Sequence, residues 1–251
     1  MTQMNPTWRP QASDIAYAAG LLTRIRLPVD GEAAMTRGAA AAWAFPVVGI
    51  ILGVGFYAVY STLAAIDLPP MICATLAVAA ACFATGAMHE DGFADVLDGF
   101  WGGWDRARRL EIMKDSHIGV YGVLGLIIVI GLKVQLYAAI MQSTPWAILG
   151  IFALSRAVMV GVMVWVPNAR GAGLSHSVGV PSSNTAWIAL GLGGLTVLIF
   201  GSVLSGIAVL ASAVCMVAIA KAKIGGQTGD VLGATQNISE IAGLIVLAAV
   251  L

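Results

Sequence analysis

Hydrophobic residues run along this chain in blocks too long for one face of a soluble helix. A bilayer's hydrocarbon core is about 30 Å thick and a helix rises about 1.5 Å per residue, so a span needs about 20 apolar residues. Blocks of that kind lie near 39–66, 70–88, 119–141, 146–166, 186–201, 204–221 and 231–251. The fifth and sixth come from one run, 186–220, which is too long for one helix and has a turn at Gly201-Ser202. The last block is mixed. Ile241–Leu251 is fully apolar, whereas 231–240 carries Thr235, Gln236, Asn237, Ser239 and Glu240, so its first half should face protein. Ahead of the first block, Ile15, Ala19 and Leu22 fall at helical spacing. They predict a short amphipathic helix over 12–26 lying on the membrane surface, with no signal-peptide pattern. The expected fold is an all-α polytopic membrane helix bundle, with about seven spans plus an N-terminal interfacial amphipathic helix. Residues 1–38 form the N-terminal segment, and 39–251 a single transmembrane domain with a cytoplasmic acidic loop at 89–118.

Composition supports this. Of 251 residues, 59% are hydrophobic and 10% charged, against about 25% charged in soluble domains. An ordinary soluble enzyme and a disordered chain are both excluded. Lys+Arg and Asp+Glu are 13 each, which leaves no basic surplus for nucleic acid. Cys73, Cys82 and Cys215 sit in apolar runs without metal-type spacing and read as buried packing. Arg9, Arg24, Arg26, Arg37, Arg106, Arg108, Arg109, Lys114, Arg170, Lys221 and Lys223 lie outside the spans. With seven spans all of them fall on one side, and the opposite turns hold none. That side should be cytoplasmic and the C-terminus exterior.

Acidic residues cluster. Glu90, Asp91, Asp95, Asp98, Asp105, Glu111 and Asp115 make seven of the 13 acids. On a helix, Asp91, Asp95 and Asp98 stand at i, i+4 and i+7, within an arc of about 60°. Such a stripe repels itself, more so near a membrane, and a divalent cation removes that cost. Oxygen ligands suit Mg²⁺, which takes one or two carboxylates plus substrate phosphates. Asp91, Asp95 and Asp98, with Glu90, are the candidate metal set. A solvated acidic loop accounts for Asp105 and Glu111, which alternate with Arg106, Arg108 and Arg109. It does not account for three in-phase aspartates beside two glycines.

Other polar groups surround this stripe in sequence. His89 is a candidate acid, base or hydrogen-bond donor. Lys114-Asp115-Ser116-His117 closes the segment. Gly225-Gly226-Gln227-Thr228-Gly229-Asp230 precedes the last span, where backbone N–H groups and the positive helix end suit an anion. Thr23–Pro28, with Arg24 and Arg26, suits either phosphate contact or headgroup anchoring. Lys133, Arg156 and Glu240 lie inside predicted spans, where ionisable groups are costly and take a functional or paired role. An internal pair of Glu240 with Arg156 is the plain alternative. Gly49-x-x-x-Gly53 is a candidate helix-packing face. The residues alone indicate a membrane-embedded Mg²⁺-dependent transferase acting on a diphosphate, in which metal and cations stabilise charge on the transferring group. Arg24, Lys114, Lys133, Arg156, Gln227, Asp230 and Glu240 are its candidate substrate-binding residues.

The motifs go further. The chain resembles the cobalamin-5′-phosphate synthase (adenosylcobinamide-GDP ribazoletransferase) family. The resemblance rests on T-R-x-R-L-P at 23–28, H-E-D-G-F-A-D-V-L-D-G at 89–99 and R-R-L-E-I-M-K-D-S-H-I-G at 108–119. It continues with S-R at 155–156 and G-G-Q-T-G-D-V-L-G-A at 225–234. The family's first block is more often T-R-L-P, so the alignment of Arg24 against Arg26 stays open. The resemblance implies the last assembly step of adenosylcobalamin (vitamin B12). Adenosylcobinamide-GDP is joined to α-ribazole or its 5′-phosphate, and GMP is released. It also implies a multi-pass protein of the bacterial inner membrane with its site on the cytoplasmic side. A homo-oligomer and contacts with other cobalamin-pathway enzymes are compatible with it. Mg²⁺ on Asp91, Asp95 and Asp98 would bridge the diphosphate, with Asp98, Asp115 and His89 as candidate catalytic groups.

Three alternatives are weaker. Asp95-x-x-Asp98-Gly99 echoes the CDP-alcohol phosphotransferases, but their later residues do not follow. A membrane prenyltransferase needs a second aspartate motif. A transporter would favour inverted repeats and leaves 89–118 unexplained.

Overall fold

The computed structural model describes residues 9–25 and 27–250, so Arg26 lies outside the described residues. Among the described residues twelve α-helices run α1 (Ser13–Leu22), α2 (Gly31–Arg37), α3 (Phe45–Ala64), α4 (Pro70–Thr85), α5 (Met88–Gly102) and α6 (Arg106–Ile112). They continue α7 (Val120–Ser143), α8 (Ile148–Trp165), α9 (Leu174–Val178), α10 (Ser183–Phe200), α11 (Val203–Ile224) and α12 (Gly229–Ala249). Among the described residues there is no strand, only one bridge between Asn168 and Gln227. Six stretches are long and apolar enough to cross a membrane: the one ending in α3, then the one ending in α8, and α7, α10, α11 and α12. The bent pair α4–α5 makes up to seven. The chain is therefore an all-α polytopic helix bundle. The run 186–220 does break at Gly201-Ser202, between α10 and α11.

α8 is the axis of the bundle. Apart from Ser155 and Arg156 it is apolar on every face, and 94% of its span is buried, against 28% for α7 and 33% each for α10 and α11. A helix apolar nearly all round belongs in the interior. Backbone contact with α3 is possible because Gly49 carries no side chain: a Cβ there would lie 2.3 Å from the Phe152 carbonyl oxygen. Gly53, one turn on, faces the Leu149 side chain. The expected Gly-x-x-x-Gly packing face is real. α1 docks through Ala18 and Leu22, and Asp14 fixes it, accepting from Arg37 Nε at 2.8 Å and Trp43 Nε1 at 2.7 Å. Cys73 is buried as expected, but Cys82 is only partly buried and Cys215 is exposed on α11.

Two local features position the site. The first is the break between α4 and α5, an 88° turn. Gly86 (φ 66°) and Ala87 (φ 53°) are both left-handed, so the helix cannot continue through them. The Arg24 side chain lies over Gly86, and the Arg24 N–H donates to the Ala84 carbonyl at 2.7 Å. The expected loop at 89–118 is thus two helices, and α5 starts beside the middle of α7. The second feature is a basic end of the bundle. Arg109 Nη1 donates to the Lys223 carbonyl (3.0 Å), Arg106 Nη2 to that of Ala169 (3.0 Å) and Lys223 Nζ to that of Phe100 (3.2 Å). The segments after α5, α8 and α11 are tied together there.

Candidate active site

The acidic helix α5 crosses α12 at two glycines. A Cβ on Gly92 would sit 2.9 Å from Asp230 Cα, and one on Gly233 3.2 Å from His89 Cα. This close approach brings Asp91 and Asp95 of α5 to Asp230 in the first turn of α12. Asp95 feels the negative charges of Asp230, Asp91 and Asp98 and the positive charge of Arg170. Thr228 caps α12 by accepting from the Val231 N–H (3.3 Å), and its hydroxyl also reaches Asp230 Oδ2 at 3.2 Å.

The strap after α8 closes one side. Gln227 donates its N–H to the Pro167 carbonyl and accepts from the Ala169 N–H, both at 2.8 Å. Gly226 must be glycine here, because a Cβ would lie 2.1 Å from the Pro167 oxygen. Gln227 Oε1 accepts from Ser175 Oγ at 2.8 Å, so its side chain braces the strap from a buried position. The strap delivers Arg170, whose Nη1 lies 2.9 Å from Asp230 Oδ2. Arg170 is the site residue that sequence reasoning missed. Its charge was counted toward orientation only; its position two residues past Asn168, in a connection rich in glycine, was the available signal.

Below this, a charge network fills the bundle. Lys133 Nζ lies 3.2 Å from Glu90 Oε1 and 3.1 Å from Glu240 Oε1. Arg156 Nη1 approaches Glu240 Oε2 at 3.8 Å. Glu240 accepts from the Tyr137 hydroxyl at 2.9 Å and from Gln236 Nε2 at 2.6 Å. Gln236, Asn237 and Glu240 all face inward, as expected of that half-span. Lys133, Arg156 and Glu240 do line one cavity, but it holds only about 20 Å³. That is room for a water, which needs about 10–15 Å³. In it Glu240 pairs with both cations.

Two members of the expected metal set are also engaged elsewhere. Asp98 accepts from the N–H groups of Gly119 (2.7 Å) and Gly122 (3.0 Å), capping α7 from a neighbouring helix. Glu90 turns to Lys133 because it stands about 100° round the helix from Asp91. Asp91, Asp95 and Asp230 are what remains. Among the described residues no three acidic, His or Cys side chains converge tightly enough to hold a metal by themselves. Asp115 and Lys114 are exposed beyond α6, and Asp115 pairs with His117 at 2.6 Å. His89 is buried with Nε2 unpartnered. It borders both the charge cavity and an apolar slot of about 50 Å³ that includes Met159, Met163 and Gly229.

Fold and site together define a membrane-embedded helical bundle with a carboxylate–guanidinium centre at its basic end. The cobalamin-5-phosphate synthase family model matches residues 14–248, and the chain belongs to that family. An adenosylcobinamide-GDP ribazoletransferase of Bradyrhizobium diazoefficiens is 41% identical, with 97% of this chain and 96% of the relative covered. Those of Brucella anthropi (40%; 92% and 94% covered) and Sinorhizobium medicae (39%; 99% and 99%) are similar. No solved structure matches the chain.

Proposed function

We propose that this transferase joins adenosylcobinamide-GDP to α-ribazole or its 5′-phosphate and releases GMP, at a basic end that faces the cytoplasm. The observation that carries the reading is the convergence of Asp91 and Asp95 with Asp230 and Arg170 where α5 crosses α12. Family membership supplies the substrates. The donor set fits Mg²⁺: carboxylate oxygens only, too few to enclose a metal alone, as expected when substrate phosphates complete the shell. Asp95 and Asp230 would hold it, and when bound it would neutralise diphosphate charge.

The ribose hydroxyl of α-ribazole attacks the cobinamide-side phosphorus, a new P–O bond forms, and the bond to GMP breaks. Asp91, at the exposed edge of the stripe, takes the hydroxyl proton. Arg170 offsets charge on the leaving phosphate. Purified protein should release GMP from adenosylcobinamide-GDP, and omission of α-ribazole or of Mg²⁺ should each abolish release. GMP released without α-ribazole would make the protein a hydrolase and overturn the reading.

A further inference from the structure

Three buried nitrogen atoms on the strap beside Asp230 have no hydrogen-bond partner: Asn168 Nδ2, Arg170 Nε and Arg170 Nη2. All are donors. Buried donors without partners are costly, and a group of them with no acceptor matches an anion better than a water.

Their orientation is held from behind. Asn168 Oδ1 accepts from the N–H groups of Arg170 (3.0 Å) and Gly171 (2.9 Å), so the amide nitrogen must be the free end. Arg170 Nη1 is held by Asp230 at 2.9 Å. That leaves Nε and Nη2, the side-on edge of the guanidinium, whose two parallel N–H bonds match two oxygens of one phosphate. The strap itself is clamped by the Pro167, Ala169 and Gln227 backbone bonds and by Arg106 on the Ala169 carbonyl. The strap that carries the edge is therefore fixed in place by bonds on both sides.

We infer that Asn168 and Arg170 are the seat for the diphosphate of the nucleotide-activated substrate, opposite the carboxylates of Asp91 and Asp95. The inference rests on the proposed function for the substrate's name, but the chemistry it claims is that of any diphosphate. Asp230 then has two tasks, facing the metal and aiming Arg170.

Two conservative variants test it. Arg170→Lys keeps a cation for Asp230 and removes the fork. Asn168→Asp keeps the acceptor that shapes the strap and replaces the free donor with a negative charge. Each should raise the KM for adenosylcobinamide-GDP by at least about tenfold, leave that for α-ribazole within about twofold, and keep the wild-type thermal midpoint. A purely structural ion pair predicts a near-normal Arg170→Lys enzyme. Inorganic pyrophosphate in Mg²⁺ buffer gives a readout without turnover: it should raise the midpoint of wild type and not of either variant. Wild-type KM values, equal losses for both substrates, or unchanged pyrophosphate stabilisation would each overturn the seat. A wild-type protein that binds pyrophosphate but releases no GMP would sink the proposed function and leave the seat standing.

Discussion

Lys133 stands about 20 Å along α7 from its first residue, and it bridges Glu90 of α5 to Glu240 of α12. Those are the helices that carry Asp91, Asp95 and Asp230. Lys133→Met leaves Glu90 with only the Asn237 amide at 3.5 Å, while Glu240 keeps Tyr137, Gln236 and Arg156. Breaking a buried pair by removing one partner costs about 3–5 kcal/mol. For a chain of this size that is a drop in midpoint of roughly 6–20 °C. Adding Glu90→Gln removes the stranded charge, and neutral replacement of a whole buried pair is often close to neutral in stability. The double variant should therefore recover most of the midpoint. It should not recover full turnover, because the Lys133 bridge between position 90 of α5 and Glu240 of α12 is gone; a misplacement of about 1 Å costs on the order of 100-fold. Thermal unfolding in detergent and GMP release, measured on the same preparations, read the two effects separately. If turnover returns together with stability, Lys133 balances charge and positions nothing. If the single variant unfolds within 2–3 °C of wild type (under about 1 kcal/mol), the network is wetter than its burial indicates.

Gly92→Ala puts a methyl against the Asp230 backbone, which cannot move aside; overpacking costs about 1–3 kcal/mol, and turnover should fall more than stability does. Asp98→Ala should lower stability by about 2 kcal/mol through loss of the α7 cap without changing the Mg²⁺ concentration for half-maximal activity; a large shift in that concentration would return Asp98 to the metal. At Asp14, burial works against the charge, but hydrogen bonds from Arg37 and Trp43 outweigh it and hold the carboxyl below the usual range. Its contribution is thus whole above the ordinary value of about 3.9 and lost as pH falls through the depressed one. Asp14→Asn should lower the midpoint at pH 7, and the gap should close in acid; a gap independent of pH refutes the pairing.

The spans were legible because a bilayer demands blocks of apolar residues, and little else produces them. The inward face of α12 was legible for the same reason, since Gln236, Asn237 and Glu240 have no place in lipid. Cost also told that Lys133, Arg156 and Glu240 would need partners. It offered Glu240 with Arg156 as a pair but gave no sign that Lys133 and Glu90 would join them. Helical phase put Asp91, Asp95 and Asp98 on one stripe, correctly. But phase says which residues share a face, not what stands opposite, and the first turn of α7 stands opposite Asp98. The bend was illegible: Gly86 is an ordinary helix stop, and nothing marks Ala87 as left-handed. Arg170 needed the Asn168–Gln227 bridge, a pairing between residues far apart in the chain, before its neighbour Asp230 was visible.

The charge network also bears on how the protein is made. α12 follows the helices that carry Lys133 and Arg156, and its first half carries a carboxylate that costs roughly 2.5–3.5 kcal/mol on insertion. Lys133 already has Glu90 of α5 for a partner, whereas Arg156 faces the same cost until Glu240 arrives. Insertion of α12 therefore fills a vacancy beside Arg156, and the catalytic centre, which takes Asp230 from the first turn of α12, cannot form before it. A bundle without α12 keeps Arg156 as a stranded cation in the bilayer, a mark by which membrane proteases can tell such a bundle from an assembled one.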